Sequence, residues 1–222
     1  MSGSKITQGF RWEMGQRKGL FGLPDIVVPV ITGREFGYSR ADIRDAAMRQ
    51  LSAIQRARMP LANVDTGWAF AISRDGWRKI VKFKHHDLEV YQTIFLIARV
   101  AQIAVLAESH VDVAHSNPDV QAIHRMYAPI EIEGTLWRVM LTIRDYTGSR
   151  SGGRKNLHAL QTSRIKGIEM QHRSDADSPT TPFDTVESGK ITSAAERVKI
   201  SISDLLAKST RHDGSEWDFS DV

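Results

Sequence analysis

Apolar residues recur along this chain in three rhythms, and each predicts a different element. At helical spacing stand Ile43, Ala47, Leu51 and Ile54. With Ser39 as N-cap and Asp42 in the capping-box position, they predict a helix from Arg40 to about Arg58, ended by Met59-Pro60. Alternation governs 68–83 and 125–146. In the first stretch, WAFAISRDGWRKIVKF, a type I′ turn is expected at Asp75-Gly76, because both central residues of that turn need positive φ. Trp68, Phe70 and Ile72 would then share a core face with Val81 and Phe83. In the second, RMYAPIEIEGTLWRVMLTIRDY, a turn at Glu133-Gly134 pairs Ile132 with Thr135, Ile130 with Trp137, Ala128 with Val139 and Met126 with Leu141. A slip of one residue would expose Ile130 and Trp137, so this register is well specified. The third rhythm is the nearly unbroken apolar run LEVYQTIFLIARVAQIAVLA, which predicts a buried helix over 87–109.

Shorter signals complete the order. The run IVVPVI at 26–31 carries Pro29 and suits an edge strand, and 156–170 offers one or two more strands. The expected fold is α+β: a central antiparallel sheet of two hairpins plus further strands, packed against two helices. Residues 1–23 read as a loosely ordered arm, 24–170 as the domain and 171–198 as a linker by composition. Residues 199–222 read as a short amphipathic segment with an acidic tail.

Composition narrows the chemistry. A chain of 222 residues, 41% hydrophobic and 25% charged, suits a soluble globular domain of about 150 residues with extensions. No apolar run approaches the ~20 residues of a bilayer span, and the start lacks a signal-peptide core. The expected place is therefore the cytoplasm, with no membrane involved, although a phage or host delivery system would leave no such mark. The absence of cysteine excludes disulfides, thiolate zinc sites and thiol nucleophiles. Net charge is only +4, but the body is basic while the end, DGSEWDFSD, is acidic. That asymmetry points to an anionic partner, and a tail folded back on the basic face would be autoinhibitory.

The face of the second hairpin opposite its core side pairs Tyr127 with Met140, Pro129 with Arg138 and Arg125 with Thr142, with Arg144 diagonally beyond. Arginine forks hold phosphate and the charge of a pentavalent phosphorane. Attack by a ribose 2′-OH needs an acid and a base rather than a metal. Arg125 and Arg144 are thus candidates to hold phosphate, Thr142 to orient it, and His158, entering on a neighbouring strand, to act as acid or base. Tyr127 would contact a base, with Arg138, Arg154 and Lys155 as further substrate-binding residues. No metal and no cofactor is expected. The plainer alternative is an ordinary solvated sheet face, which commonly carries Arg and Thr. His124 falls on the core side and reads as structural. His85-His86 reads as a surface pair, and His110 with His115 as part of a polar loop. The spacing Glu131-Ile132-Glu133, known from ADP-ribosyl transfer, runs here into a tight turn.

AFAISRDGWRKI, the long apolar helix, RMYAPIEIEGTLWRVMLTIRDY and a last strand through Leu157-His158 together resemble the third large polyvalent protein-associated domain of phage and conjugative elements. The resemblance spans about 25–170, and KISISDLLAKSTRHDGSEWDF is similar to the end of phage-encoded proteins of this kind. It implies a barnase–EndoU–colicin–RelE-like nuclease fold whose central antiparallel sheet binds RNA. It further implies metal-independent endoribonuclease activity giving a 2′,3′-cyclic phosphate, in a toxin-like domain acting on host RNA. The alternative is a virion-associated or host-factor-binding protein that keeps the fold without the chemistry, with a host or phage protein as partner.

Overall fold

The Glu133-Gly134 turn organises the molecule. Both residues adopt positive φ, 50° and 73°, as a type I′ turn requires. It joins β7 (Val120–Ile132) to β8 (Thr135–Tyr146). The ladder runs from Ile132↔Thr135 through Ile130↔Trp137, Ala128↔Val139 and Met126↔Leu141 to Arg125↔Thr142, the register expected. The computed structural model describes residues 15–17, 19–32, 37, 39–82, 88–111, 119–146, 155–165, 198–211 and 213–219.

The other elements in chain order are β1 (Gly15–Gln16), β2 (Ile26–Val27), β3 (Val30–Ile31), α1 (Arg40–Ala57), β4 (Leu61–Ala62) and β5 (Ala69–Ile72). There follow α2 (Arg74–Lys82), α3 (Leu88–Phe95), α4 (Ile97–Ile103) and β6 (Val105–His110) ahead of the hairpin. After it come β9 (Lys155–Arg164), β10 (Lys199–Ile200) and α5 (Ile202–Leu206). The main sheet has the order β1-β6-β7-β8-β9-β5-β4, with β3 alongside β7. The Leu106 amide donates to Asp65 Oδ2 at 2.9 Å, so the loop after β4 meets the start of β6 and the sheet curls. The α+β class is as expected.

Two predicted elements are corrected. The stretch 68–83 is not a hairpin: β5 ends at Ile72 and α2 begins at Arg74. Ser73 Oγ accepts from the Gly76 amide at 3.0 Å, as an N-cap does, and Trp77, Ile80 and Val81 pack inward at helical spacing. Gly76 serves close approach instead of a turn, since a Cβ there would lie 2.0 Å from the Leu157 carbonyl oxygen of β9. Phe83 lies outside the described residues. The run 87–109 is likewise not one helix. It breaks between α3 and α4 at Leu96, and again at Ala104 (ψ 136°), beyond which the chain extends as β6 against β7. Pro29 divides the run 26–31: β2 pairs with β10, and β3 lies parallel to β7.

Helix α1 has its expected cap. Ser39 Oγ accepts from the Asp42 amide at 3.1 Å, and Arg58 closes the helix at φ 51°. Ser39→Ala should lower stability by about 1 kcal/mol. A urea midpoint indistinguishable from wild type would contradict that.

The sheet is covered on both faces. On one, Ile43, Leu51, Ile80, Ile94, Ile97 and Val100 from α1–α4 pack on Met126, Ile130, Val139, Leu141 and Leu160. On the other, Val105, Ala107, Tyr127 and Leu136 lie under Leu20, Ile26, Val28, Ile200, Ile202, Leu205, Leu206 and Trp217. The face expected to be wet is therefore a second core. The stretch 15–23, in the predicted arm, contributes β1 and the buried Leu20. The predicted linker lies outside the described residues up to Arg197.

Candidate functional site

The second face brings Arg125 of the hairpin to Glu108, a residue expected to lie in a helix. Between Leu106 and Glu108 a bulge in β6 shifts the register, so Glu108 stands beside Arg125. Its side chain is wholly buried. Arg125 Nη1 donates to Glu108 Oε1 at 3.3 Å, and Arg211 Nε lies 3.7 Å from Oε2. Next to them is Tyr127, 4% exposed, its ring edge-on to Trp217 with centroids 5.7 Å apart. Burial first, then the Glu108 charge, raises the phenol's pKa above its ordinary value, while Arg125 pulls the other way. Tyr127 is therefore a neutral hydroxyl at physiological pH. Thr142 pairs with Arg125 on one side and Ala159 on the other.

Not all of the remaining predicted residues converge on that point. Arg144, opposite Ile123, lies two residues beyond Thr142 and so diagonal to Arg125, whereas Arg138 is four residues from Thr142, about 13 Å along the strand, too far to share one phosphate with Arg125. Arg138 is buried. Its Nη1 donates to the carbonyls of Leu205 (3.0 Å) and Ala207 (3.2 Å), and its Nε donates to Ser163 Oγ (3.2 Å). Burial lowers its pKa, and the charge of Tyr127 opposes that. His158 sits at a bulge between Leu157 and Ala159, and Lys79 Nζ of α2 donates to its Nε2 at 2.7 Å. It thus turns to the helical side, away from Arg125 and Thr142, which corrects the expectation that it joins them. Arg154 lies outside the described residues.

A second polar cluster closes one end of the helical face. Ser109 Oγ lies 2.8 Å from His124 Nδ1, and His124 Nε2 lies 3.6 Å from Asp145 Oδ2. Lys155 Nζ donates to the same carboxylate at 2.6 Å and sits 4.6 Å from the centre of the Trp68 ring. That ring also packs on His124, 4.8 Å between centroids. His124 is thus core-facing as expected, but the core there is polar. Ser109 was hidden in the supposed helix end. Its alternation with Glu108 (one residue to each face) is the signal that was available.

Burial alone would raise Asp145's carboxyl pKa, yet hydrogen bonding and charge from His124 and Lys155 outweigh it and hold the pKa below the ordinary range. At 3.6 Å the His124 contact exceeds a full hydrogen bond, so Lys155 is the stronger partner. A carboxylate depressed on folding contributes stability above its unfolded pKa, and loses it as pH falls through the folded value. Stability should therefore drop on acidification below about pH 4, and Asp145→Asn should flatten that part of the profile. Coincident urea midpoints for the two proteins from pH 2.5 to 6 would refute this.

The fold and this face define an α+β domain with a curled sheet, one face packed by helices and the other bearing arginines, a phenol and a carboxylate. The chain belongs to the large polyvalent protein-associated domain 3 family, matched over residues 39–155. Neither the curated proteins nor the solved structures yield a match. The matched stretch holds Glu108, Ser109, His124, Arg125, Tyr127, Arg138, Thr142 and Arg144, and stops before β10 and α5. No helix among the described residues is long and apolar enough to cross a membrane.

Proposed function

We propose that this is an RNA-contacting domain of ribonuclease type, acting on host RNA, with its site on the second face at Glu108, Arg125, Tyr127 and Thr142. The reading is carried by one juxtaposition. A carboxylate, a guanidinium, a phenol and a hydroxyl meet on adjacent positions of three strands. Attack by a ribose 2′-OH on its own phosphodiester needs a proton acceptor, a donor for the leaving oxygen and a cation for the phosphorane. Glu108 offers the acceptor, Tyr127 the neutral donor, and Arg125 the fork, with Thr142 to orient a phosphate oxygen. The product would be a 2′,3′-cyclic phosphate. His158, bonded to Lys79, has no part in this assignment.

A second reading is favoured by a specific observation. These groups already pair with one another and with the chain's own C-terminal segment, as expected of a module that keeps the fold for binding a host or phage protein. The two readings separate on total host RNA, incubated with the full chain, with Trp217→Ala to loosen the covering segment, and with Tyr127→Phe and Arg125→Lys. Cleavage leaving cyclic phosphate ends, reduced at least ~10-fold by the last two substitutions, supports the first reading. Binding that weakens with salt but never cuts means contact without catalysis, because phosphate contacts release counterions. RNA left both intact and unbound by every form overturns the proposal and leaves the protein-binding module.

A further inference from the structure

Residues 198–219 meet the second face group by group. The terminal carbonyls of α5, at Leu205 and Ala207, accept from Arg138. The Trp217 indole stands edge-on against Tyr127, and Arg211 approaches Glu108. Leu205, Leu206 and Ile202 fill the apolar space between. Two of these contacts, at Arg138 and at Tyr127, have a counterpart in a nucleotide. Arginine takes a pair of phosphate oxygens much as it takes a pair of helix-end carbonyls. A base lies against an aromatic ring where the indole now lies.

Resting on the reading of this face as an RNA site, we propose that residues 198–219 are a built-in stand-in for the nucleic acid, a strap that closes the site and must be displaced before RNA enters. Its backbone attachment to the rest of the fold is slight beside the β7–β8 ladder, the β10–β2 pairing with the Val28–Val198 bond, and buried apolar side chains supply the rest of its hold. Segments held by so few backbone pairs open at the low end of a protein's stability range. It also lies outside the stretch matched by the family. Exchanging it for RNA would replace the partners of Arg138 and Tyr127 in kind, while Glu108, on losing Arg211, keeps Arg125. An acidic tail binding by charge is a different device. Here the arginine contact is made by helix carbonyls, and the tyrosine contact by an indole.

The chain has no cysteine, which makes a redox lock specific. Val27 and Lys199 are antiparallel neighbours, and the Val28 amide donates to the Val198 carbonyl at 2.9 Å. That makes Val27–Lys199 the closer, non-hydrogen-bonded pair, suited to a disulfide. In the full chain carrying Val27→Cys and Lys199→Cys, oxidation should weaken binding of single-stranded RNA at least ~10-fold. Reduction should restore it, while the wild-type affinity ignores the reductant. Trp217→Ala should tighten binding ~10-fold, and if that variant fails to fold the redox pair decides alone. Equal affinity for oxidised and reduced protein would overturn the strap and leave the RNA site standing. If wild type, the reduced pair and a folded Trp217→Ala protein all leave RNA unbound, the site itself falls, and the strap with it.

Discussion

Alanine at Gly76 is expected to destabilise the protein by about 3 kcal/mol, the upper end of what overpacking causes. Helix α2 lies so close to β9 that a Cβ would stand 2.0 Å from the Leu157 carbonyl oxygen and 3.2 Å from its carbon. A flexible side chain could swing clear, but these are backbone atoms. Either α2 lifts, pulling Trp77 and Ile80 from the core, or β9 bends at the bulge beside His158. Gly67 is the informative comparison. Its φ of +69° strains any L-residue, yet nothing lies within 4 Å of its would-be Cβ, so alanine there should cost only about 1–2 kcal/mol. Chemical denaturation of the two variants ranks them. A Gly76→Ala protein as stable as Gly67→Ala, or more so, would mean that the α2–β9 contact is not close in solution.

Glu108→Gln should lower stability by roughly 3 kcal/mol, since removing one member of a buried ion pair strands the others. The carboxylate has no solvent of its own, while Arg125 and Arg211 keep 25% and 20% side-chain exposure. Both guanidiniums keep some access to water, which holds the expected loss to the lower end of what breaking a buried pair costs. Replacing Glu108 and Arg125 together by methionine should recover much of the loss, because a buried pair gains little over well-packed apolar groups. A double variant as unstable as Glu108→Gln alone would show that shape, not charge, matters at this point. The same substitution bears on function, because Glu108 is the assigned proton acceptor. A folded Glu108→Gln protein that still cleaves RNA at the wild-type rate would remove Glu108 from that role.

Much of the hairpin was legible without coordinates. Two-residue periodicity and a Glu-Gly turn are local, and a slip would have exposed Ile130 and Trp137, so only one register buries the apolar set. The capped helix α1 was equally local: a hydroxyl, a carboxylate three residues on and apolar residues at helical spacing. Two local signals misled. Asp75-Gly76 matches a type I′ turn in its dihedral preferences, but the glycine is needed for absent volume, not for positive φ. The spacing of Trp77, Ile80 and Val81 was the competing clue. The run through 104–107 is apolar at every position, and a buried strand and a buried helix then look alike.

The site turned on those same ambiguities. Hiding β6 in a helix concealed both Glu108 and Ser109, the residues around which the two polar clusters are built. The covering of the second face was foreshadowed by Tyr127, Pro129, Leu136 and Met140, which are poorly suited to a wet surface, and by the apolar positions of ISISDLLAK.

By itself, then, the sequence determined the α+β class, the capped first helix and the pairing of β7 with β8. Each rests on residues within a few positions of one another, where periodicity and turn chemistry act. Only the tertiary structure decided that β6 is a strand, that His158 turns to Lys79, and that Arg125 meets a carboxylate while Arg138 meets the end of α5. Those outcomes depend on which distant segment supplies a partner for a buried polar group. No pattern along one strand carries that information, because an arginine on a sheet face reads the same whether water or residues 198–219 lie above it.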